Sequence, residues 1–334
     1  MAISRKKMEE LLRRLEKPVQ DAFIVAVNNA KNRAQITALE NAIISGNIEA
    51  ILIAAGVRVG MWSALTESIR NVYGFSGDFR MHLDVPRRFG AEFNINNPRA
   101  ESWLRTNSST LITGDLMPQQ ESAIQKILQN GMIKGDNPRT TALDIVGRQI
   151  PGGRRSGGII GLSDPQVQYA LNMEDDLETL NWQRYKSRKL RDRRFDSMVK
   201  RSMEEGKILP KATRKKIVGR YEDRMLKHRG DTIGRTETLQ SLNAASDEAL
   251  QQIVDEGLAP PNAITRIWRH SYSANERPGH VAMDGQPRGI DDYFLNPYTQ
   301  ISLKAPGIGP GSEVINCRCY VEHEIDFAAV ERAA

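Results

Sequence analysis

A mainly α fold, a multi-helix body with a small loop-rich α+β module at its C-terminal end, is predicted by three observations. Apolar residues recur at helical spacing over most of the first 256 positions. Turn chemistry concentrates beyond them: Asp284-Gly285, Asn296-Pro297, Pro306-Gly307 and Pro310-Gly311 each mark a reversal or break. Between those breaks lie short apolar runs, ITRIW and EVINCRCYVEHEI, with the character of strands. A unit of that kind has little core of its own and needs a staple or a neighbour.

The chain's 334 residues allow two or three domains and a sizeable core. Its 26% charged and 40% hydrophobic content is that of an ordinary globular protein. No apolar run approaches the ~18 residues that span a bilayer, so no membrane anchor is expected. The opening MAISRKKMEELLRRLEK is basic and then amphipathic, without an apolar signal core, which places the protein where it is made. Cys317 and Cys319, its two cysteines, stand one residue apart and poorly placed for a mutual disulfide, as in a reducing compartment. A net charge of +6 permits contact with nucleic acid without requiring it.

Four segments follow in order: helices over 1–72, a helical and irregular region over 73–162, a basic helical section over 163–258, and the α+β module over 259–334. In the first, Leu11, Leu12, Leu15, Val19 and Phe23 form an apolar stripe. Ser45-Gly46-Asn47 and Gly56 are breaks, and Trp62, Leu65, Ile69 and Val72 mark a further helix. Residues 1–56 read as helical hairpins that could be removed from the rest. From Tyr73 to Asn97 the cluster of Gly, Pro and Asn predicts an irregular excursion, including VPRRF. Asn97-Pro98 opens a helix with proline at its first position; Thr113-Gly114-Asp115 opens another, which ends at Asn130-Gly131. DNPRTTALDIVGRQI adds a short one.

PGGRRSGGIIGLSDP, residues 151–165, has the glycines and arginines of a phosphate loop but neither of the spacings that cradle phosphates, so a linker or closely packed loop is the better reading. Ser163 and Pro165 then start a helix reaching about Leu180. From Gln183 to Arg229 stand 18 Lys/Arg against 6 Asp/Glu, a local charge of +12 in a chain of net +6. This excess is expected to exceed what local pairing neutralises and to face double-stranded DNA or an acidic partner. Arg188, Lys189, Arg191, Arg193, Arg194, Lys211, Arg214, Lys215 and Lys216 are the candidate contacts. Few aromatics interleave, which argues against stacking on single strands. Residues 231–256 continue as a helix, with Asp231 or Thr232 as its cap. It carries Arg235 and Glu237, which diverge at i and i+2 and read as anchors to other elements.

The ordered set Trp268, the N-E-R-x-x-H of Asn275 to His280, Asp284-Gly285, Phe294 and Asn316-Cys317-Arg318-Cys319 resembles the C-terminal module of phage minor head proteins, the Mu F-like head-morphogenesis family. Upstream, NPxAxxWL (97–104), LIT (111–113), AIxxxLxxG (123–131), RxGGxIGLxxxQ (155–166) and Arg235-Thr236-Glu237 extend the resemblance over about residues 90–325. It implies family-motif positions at Arg235, Glu237, Trp268, Arg277, Asp284, Gly285, Asn316 and Arg318.

The resemblance also raises zinc. Zinc takes about four N/S ligands, and His280, Cys317 and Cys319 make three. Some resembling proteins have cysteine at the position of Arg277, and arginine cannot ligate. His270 and His323 are the substitutes. A metal-free cluster with small buried thiols is the favoured reading and zinc the alternative. His280 with Cys317, oriented by Asp284, can be drawn as base and nucleophile, but no local signature supports an enzyme. What the resemblance implies is a structural protein of the virion head, in the host cytoplasm during assembly. Portal and head proteins are its partners, and it assists capsid assembly and DNA packaging or delivery. The alternative is a DNA-binding or nuclease-like effector.

Overall fold

A computed structural model describes residues 4–84, 90–271 and 276–333. The body is helical: α1 (Arg5–Arg33), α2 (Ile36–Ser45), α3 (Ile48–Ala54), α4 (Ser63–Asp84), α5 (Pro98–Ser109), α6 (Met117–Lys134) and α7 (Pro138–Val146). A short antiparallel ladder, β1 (Arg148–Gln149) with β2 (Arg155–Ser156), precedes α8 (Asp164–Glu178), α9 (Trp182–Ser187), α10 (Asp196–Glu204) and α11 (Lys211–Asp255). The C-terminal module contains β3 (Ile264–Arg269), α12 (Pro278–Ala282), β4 (Pro287–Gly289), β5 (Phe294–Leu295), β6 (Ser302–Leu303), α13 (Gly311–Val314), β7 (Tyr320–Ile325) and α14 (Phe327–Ala333). The fold is therefore mainly α with a small α+β module at the C-terminal end, as predicted.

Contacts cluster into two compact units that cut across the four sequence segments. One comprises Met1–Ala22, Leu65–Ser108 and Asp231–Ala334; the other comprises Phe23–Ala64 and Ser109–Gly230. Composition changes along the chain, whereas each unit gathers helices from distant parts of it. Both α1 and α11 contribute to each unit.

In the unit holding the C-terminal module, β3 is the centre of an antiparallel sheet ordered β4-β3-β7, with Trp268 opposite Val321 and Thr265 opposite Gly289. Its burial alternates, so Ile264, Arg266 and Trp268 face inward, as a period-2 strand requires. Ala249, Leu250 and Ile253 of α11 pack with Ile264, Ile290 and Val330 of the module. The module thus leans on a helix, the neighbour its own sparse core calls for. A second cluster joins Tyr73, Ala100, Leu104 and Ala245, with Trp103 stacked on Tyr73 at 4.8 Å.

The other unit packs α2 against α3 and α7, and α6 against α7 and α8. Phe23 stacks on Trp62 at 5.4 Å, and Ile145, Val146, Ile159, Ile160 and Leu162 are fully buried. The Ser45-Gly46-Asn47 break is present: Gly46 takes φ 68°, and Asn47 caps α3 by accepting from Ala50 N–H.

Several boundaries differ from the sequence reading. Of the irregular excursion expected from Tyr73 to Asn97, residues 73–84 are instead the end of α4, held by buried Tyr73 and Met81, whereas residues 90–97 are irregular as expected. VPRRF (85–89) lies outside the described residues. The break expected at Thr113–Asp115 is a π-helical turn over Thr110–Leu116 that joins α5 to α6. At Gly131, where a stop was expected, a Cβ would meet Thr141 Oγ1 at 2.7 Å. That glycine serves helix packing, and α6 runs on to an αL cap at Gly135. The helix expected over 231–256 is present, but it has no cap at Asp231 or Thr232, being the continuation of the 45-residue α11. Within it Gly234 lets α1 approach: a Cβ would stand 2.9 Å from Glu16 O. Deleting residues 1–56 would remove buried Met8, Leu12 and Val19 from one unit and Phe23 and Val27 from the other, so that segment is not separable. An 18-residue window within 48–83 reaches a mean hydropathy of 1.6, and turns between α3 and α4 interrupt this stretch.

Candidate metal centre and its framework

His280 sits on α12, a single turn whose entry is set by Pro278. Gly279 precedes it because a Cβ there would stand 2.1 Å from the Asn296 side chain. Trp268 from β3 meets the His280 ring edge-on at 5.2 Å and Phe294 at 5.3 Å, closing one side. From the other side come Cys317 and Cys319, brought in just before β7. Their sulfurs stand 3.5 and 3.7 Å from His280 Nδ1. All three residues are buried, and their ligand atoms lie within 4.8 Å of one another. The group could hold a metal ion.

Behind the imidazole lies a carboxylate that sequence reasoning missed. Glu313 Oε2 is 2.8 Å from His280 Nε2 and also accepts from Asn296 Nδ2 at 3.2 Å. A proton on Nε2, donated to Glu313, leaves the Nδ1 lone pair facing the sulfurs, the arrangement in which metal-binding histidines are usually held. Glu313 is an acid inside a Gly/Pro-rich connection, with no periodicity to mark it. The one available signal was its position four residues before Cys317. Asp284, the orienter expected from sequence, serves His270 instead: its Oδ1 accepts from His270 N–H at 2.9 Å.

The electrostatics follow the hydrogen bonds. Cys319, hydrogen-bonded to Cys317, and then the adjacent His280 hold the Cys317 thiol well below its usual range despite burial. Cys319 is pushed up by its hydrogen bond to Cys317 and by burial. Burial opposes charge on His280, but Cys317 and Glu313 outweigh it and raise the ring's pKa. Burial likewise works against the Glu313 carboxylate, and His280 outweighs it, so the acid is lowered.

Among the described residues the metal-capable group has three members. His323 faces Asp247 at 3.4 Å, and the His270 ring faces Glu276 at 3.5 Å and Asp284 at 3.4 Å, so neither substitute joins it. Arg277 plays a different part from a ligand. It donates from Nε to Ser312 O and from Nη2 to Ile315 O, both at 2.8 Å, and so holds the segment leading into Cys317.

The remaining motif positions form the surrounding framework. Gly285, at φ 78°, donates its N–H to Trp268 O at 2.8 Å. Asn316, itself at φ 59°, accepts from Arg235 Nη1 at 2.6 Å, and its N–H points to Thr236 Oγ1 at 3.4 Å. Glu237 accepts from Asn107 Nδ2 at 3.0 Å. Arg318 pairs with Glu16 at 3.4 Å. Arg235 and Glu237 therefore reach different elements, as their spacing predicts. Asn275 lies outside the described residues. A fully buried arginine in β3 was not foreseen: Arg266 donates to Asp247 at 2.8 Å and to Gly289 O at 3.1 Å, and also to Asp292 O and Lys304 O. In the sequence it looks like one polar residue in an apolar strand.

The glycine loop is a packed knot. Gly157 N–H donates to Asp223 and Gly158 N–H to Glu222, each at 2.7 Å. Lys31, buried, donates to the carbonyls of Gly157 and Gly158. Amides occupied by the protein's own carboxylates are not presented to a phosphate, so the packed-loop reading holds. At Gly158 a Cβ would stand 2.3 Å from Gly147 N.

The basic section changes most. Lys215 is buried between Asp144 at 2.8 Å and Glu174 at 2.7 Å. Arg188 pairs with Asp176 at 2.5 Å, Arg214 with Glu178 at 3.1 Å, and Lys211 with Asp136. Arg191 pairs with Asp196 at 2.9 Å and Arg194 with Asp192 at 2.6 Å. The hydrogen bonds from Arg194 hold the Asp192 carboxyl down at about 2. Five of these acids, Asp136, Asp144, Glu174, Asp176 and Glu178, lie upstream of the interval over which the +12 was counted. A window along the chain cannot see partners brought in by folding. Of the nine candidate contacts, Lys189, Arg193 and Lys216 are exposed and outside these pairs.

No protein family, curated protein or solved structure matches this chain.

Proposed function

We propose that this chain is a structural minor head protein of a tailed phage. In this reading it associates with the portal and procapsid, assists capsid assembly and DNA packaging or delivery, and resides in the virion head after assembly in the host cytoplasm. The observation that supports the reading is the shared framework of the motif residues. Trp268, Arg277, Gly285, Asn316 and Arg235 contact one another's segments around His280, so the residues carrying the resemblance belong to one structural unit. The test is composition of purified procapsids and heads. The protein should be present in a few copies and should co-purify with portal; absence from particles at every stage would overturn the assignment.

The His280–Cys317–Cys319 group is read here as a zinc site. Zinc–sulfur bonds of about 2.3 Å and zinc–nitrogen bonds of about 2.0–2.1 Å at tetrahedral angles place sulfur and nitrogen roughly 3.5 Å apart. The distances of 3.5 and 3.7 Å support that fit, as does the Glu313 carboxylate behind the ring. Metal analysis of protein purified without chelators should find about one equivalent; none would dispose of zinc.

DNA contact is the second reading. It rests on exposed Lys189, Arg193 and Lys216, and predicts weak, salt-sensitive binding without sequence preference. Turnover of DNA by the isolated protein would favour the effector alternative instead.

A further inference from the structure

Three ligands leave a tetrahedral zinc incomplete, and among the described residues no fourth metal-capable group joins them. Arg277 borders the group, but its guanidinium is committed to the carbonyls of Ser312 and Ile315. Next to His280, Cys317 and Cys319 lies a cavity of about 20 Å³, bordered also by His270, Glu276, Arg277 and Arg318. A space of that size accepts a water or the ligating end of a small anion. Residues 272–275 read Tyr-Ser-Ala-Asn and bring no further Cys, His, Asp or Glu.

Resting on the zinc reading above, we propose that this centre keeps an exchangeable fourth position, filled by water or a small anion rather than by a protein side chain. Three protein ligands with an open fourth position distinguish reactive zinc sites from closed structural ones. Arg277 and Arg318 on the cavity wall favour an anion of a few atoms, such as azide, over a neutral molecule. Glu276 on the same wall limits the preference and keeps the ligand exchangeable. The carboxylate of Glu313 holds His280 from behind, so the ring keeps its orientation whatever enters the cavity.

The experiment uses the full chain loaded with cobalt(II), whose visible bands report coordination where zinc is silent. Cobalt binding is measured first, by stoichiometry and by its loss in Cys317→Ser. Azide is then titrated into the cobalt protein. We expect a saturable shift of the visible bands with bound cobalt unchanged at about one equivalent. In Arg277→Cys the bands should move before azide is added, stop responding to it, and report cobalt bound at least tenfold more tightly. Bound cobalt whose bands ignore azide would overturn the open position while leaving the metal reading intact. A response that appears only in Glu276→Gln would identify Glu276 as the fourth ligand and overturn the proposal equally. Failure to bind cobalt, with the protein folded, would overturn both readings together.

Discussion

At the scale of single residues, the C-terminal module is organised around one imidazole. Trp268 shapes its front, Glu313 holds its back, and Gly279 lets its helix reach Asn296. If the group holds zinc as proposed, substituting Glu313 by Gln should lower metal affinity about 10- to 100-fold, because the carboxylate fixes the ligating tautomer. Competition against a chelator of known affinity measures this, and an unchanged value would remove Glu313 from the metal's support. Gly279→Ala should cost about 1–3 kcal/mol by overpacking a buried hydrogen-bonded pair, read from the denaturation midpoint at constant slope. Trp268→Ala, which empties the front of the site, should cost roughly 3–5 kcal/mol.

At the scale of elements, α11 and the basic section show how charge is used. Lys215 and Lys216 are adjacent in sequence and opposite in role. The first is buried between Asp144 and Glu174; the second is exposed. Lys215→Glu should destabilise by about 3–5 kcal/mol or more, since it leaves buried acids facing a third. Lys216→Glu should stay within ~0.5 kcal/mol, as surface substitutions usually do. Thermal melts of the two variants decide the matter; equal effects would contradict the placement of Lys215. If the exposed lysines meet DNA, only Lys216→Glu should weaken binding with the fold intact, and salt should weaken it further.

At the scale of the whole molecule, stability should depend on buried charge. Burial raises Glu222 to about 7, against the opposing hydrogen bond from Gly158 and the charge of Lys31. Its folded-state pKa therefore lies above the unfolded one, so the native state holds a proton the unfolded chain has released. Stability from this group is present below about pH 4.5 and is lost as pH rises toward about 7. The loss is on the order of a few kcal/mol, and Glu222→Gln should flatten it. Denaturation midpoints at pH 5 and pH 8 measure this; identical pH profiles in the two proteins would refute it. Lys31 is lowered by burial, so its contribution runs the other way at higher pH, rising as the unfolded chain gives up its proton. Deleting residues 1–56 should leave no folded remainder. It removes buried Met8, Leu12, Val19, Phe23 and Val27, at about 2–5 kcal/mol for each large side chain, from a total of roughly 5–15. A cooperative melt from the truncated protein would overturn this.

What the sequence alone determined was whatever local chemistry decides. Apolar stripes at helical spacing gave the helical body, Ser45-Gly46-Asn47 and Asn97-Pro98 gave true boundaries, and ITRIW and the end of EVINCRCYVEHEI hold the two paired strands. The nearness of His280 to Cys317 and Cys319 was also legible, because only a few groups of that chemistry exist in the chain. Tertiary structure decided the rest, wherever one feature has two physical uses. A glycine can end a helix or admit a neighbour, and at Gly131 the approach of Thr141 settled which. An acid in a loop can be solvated or can orient an imidazole, and Glu313 does the second because folding brings it to His280 from 33 residues away. A lysine in a basic run can face a polyanion or an internal carboxylate. Lys215 faces Asp144 and Glu174, which lie 71 and 41 positions upstream, and pairing at that range is set by packing, not by local sequence.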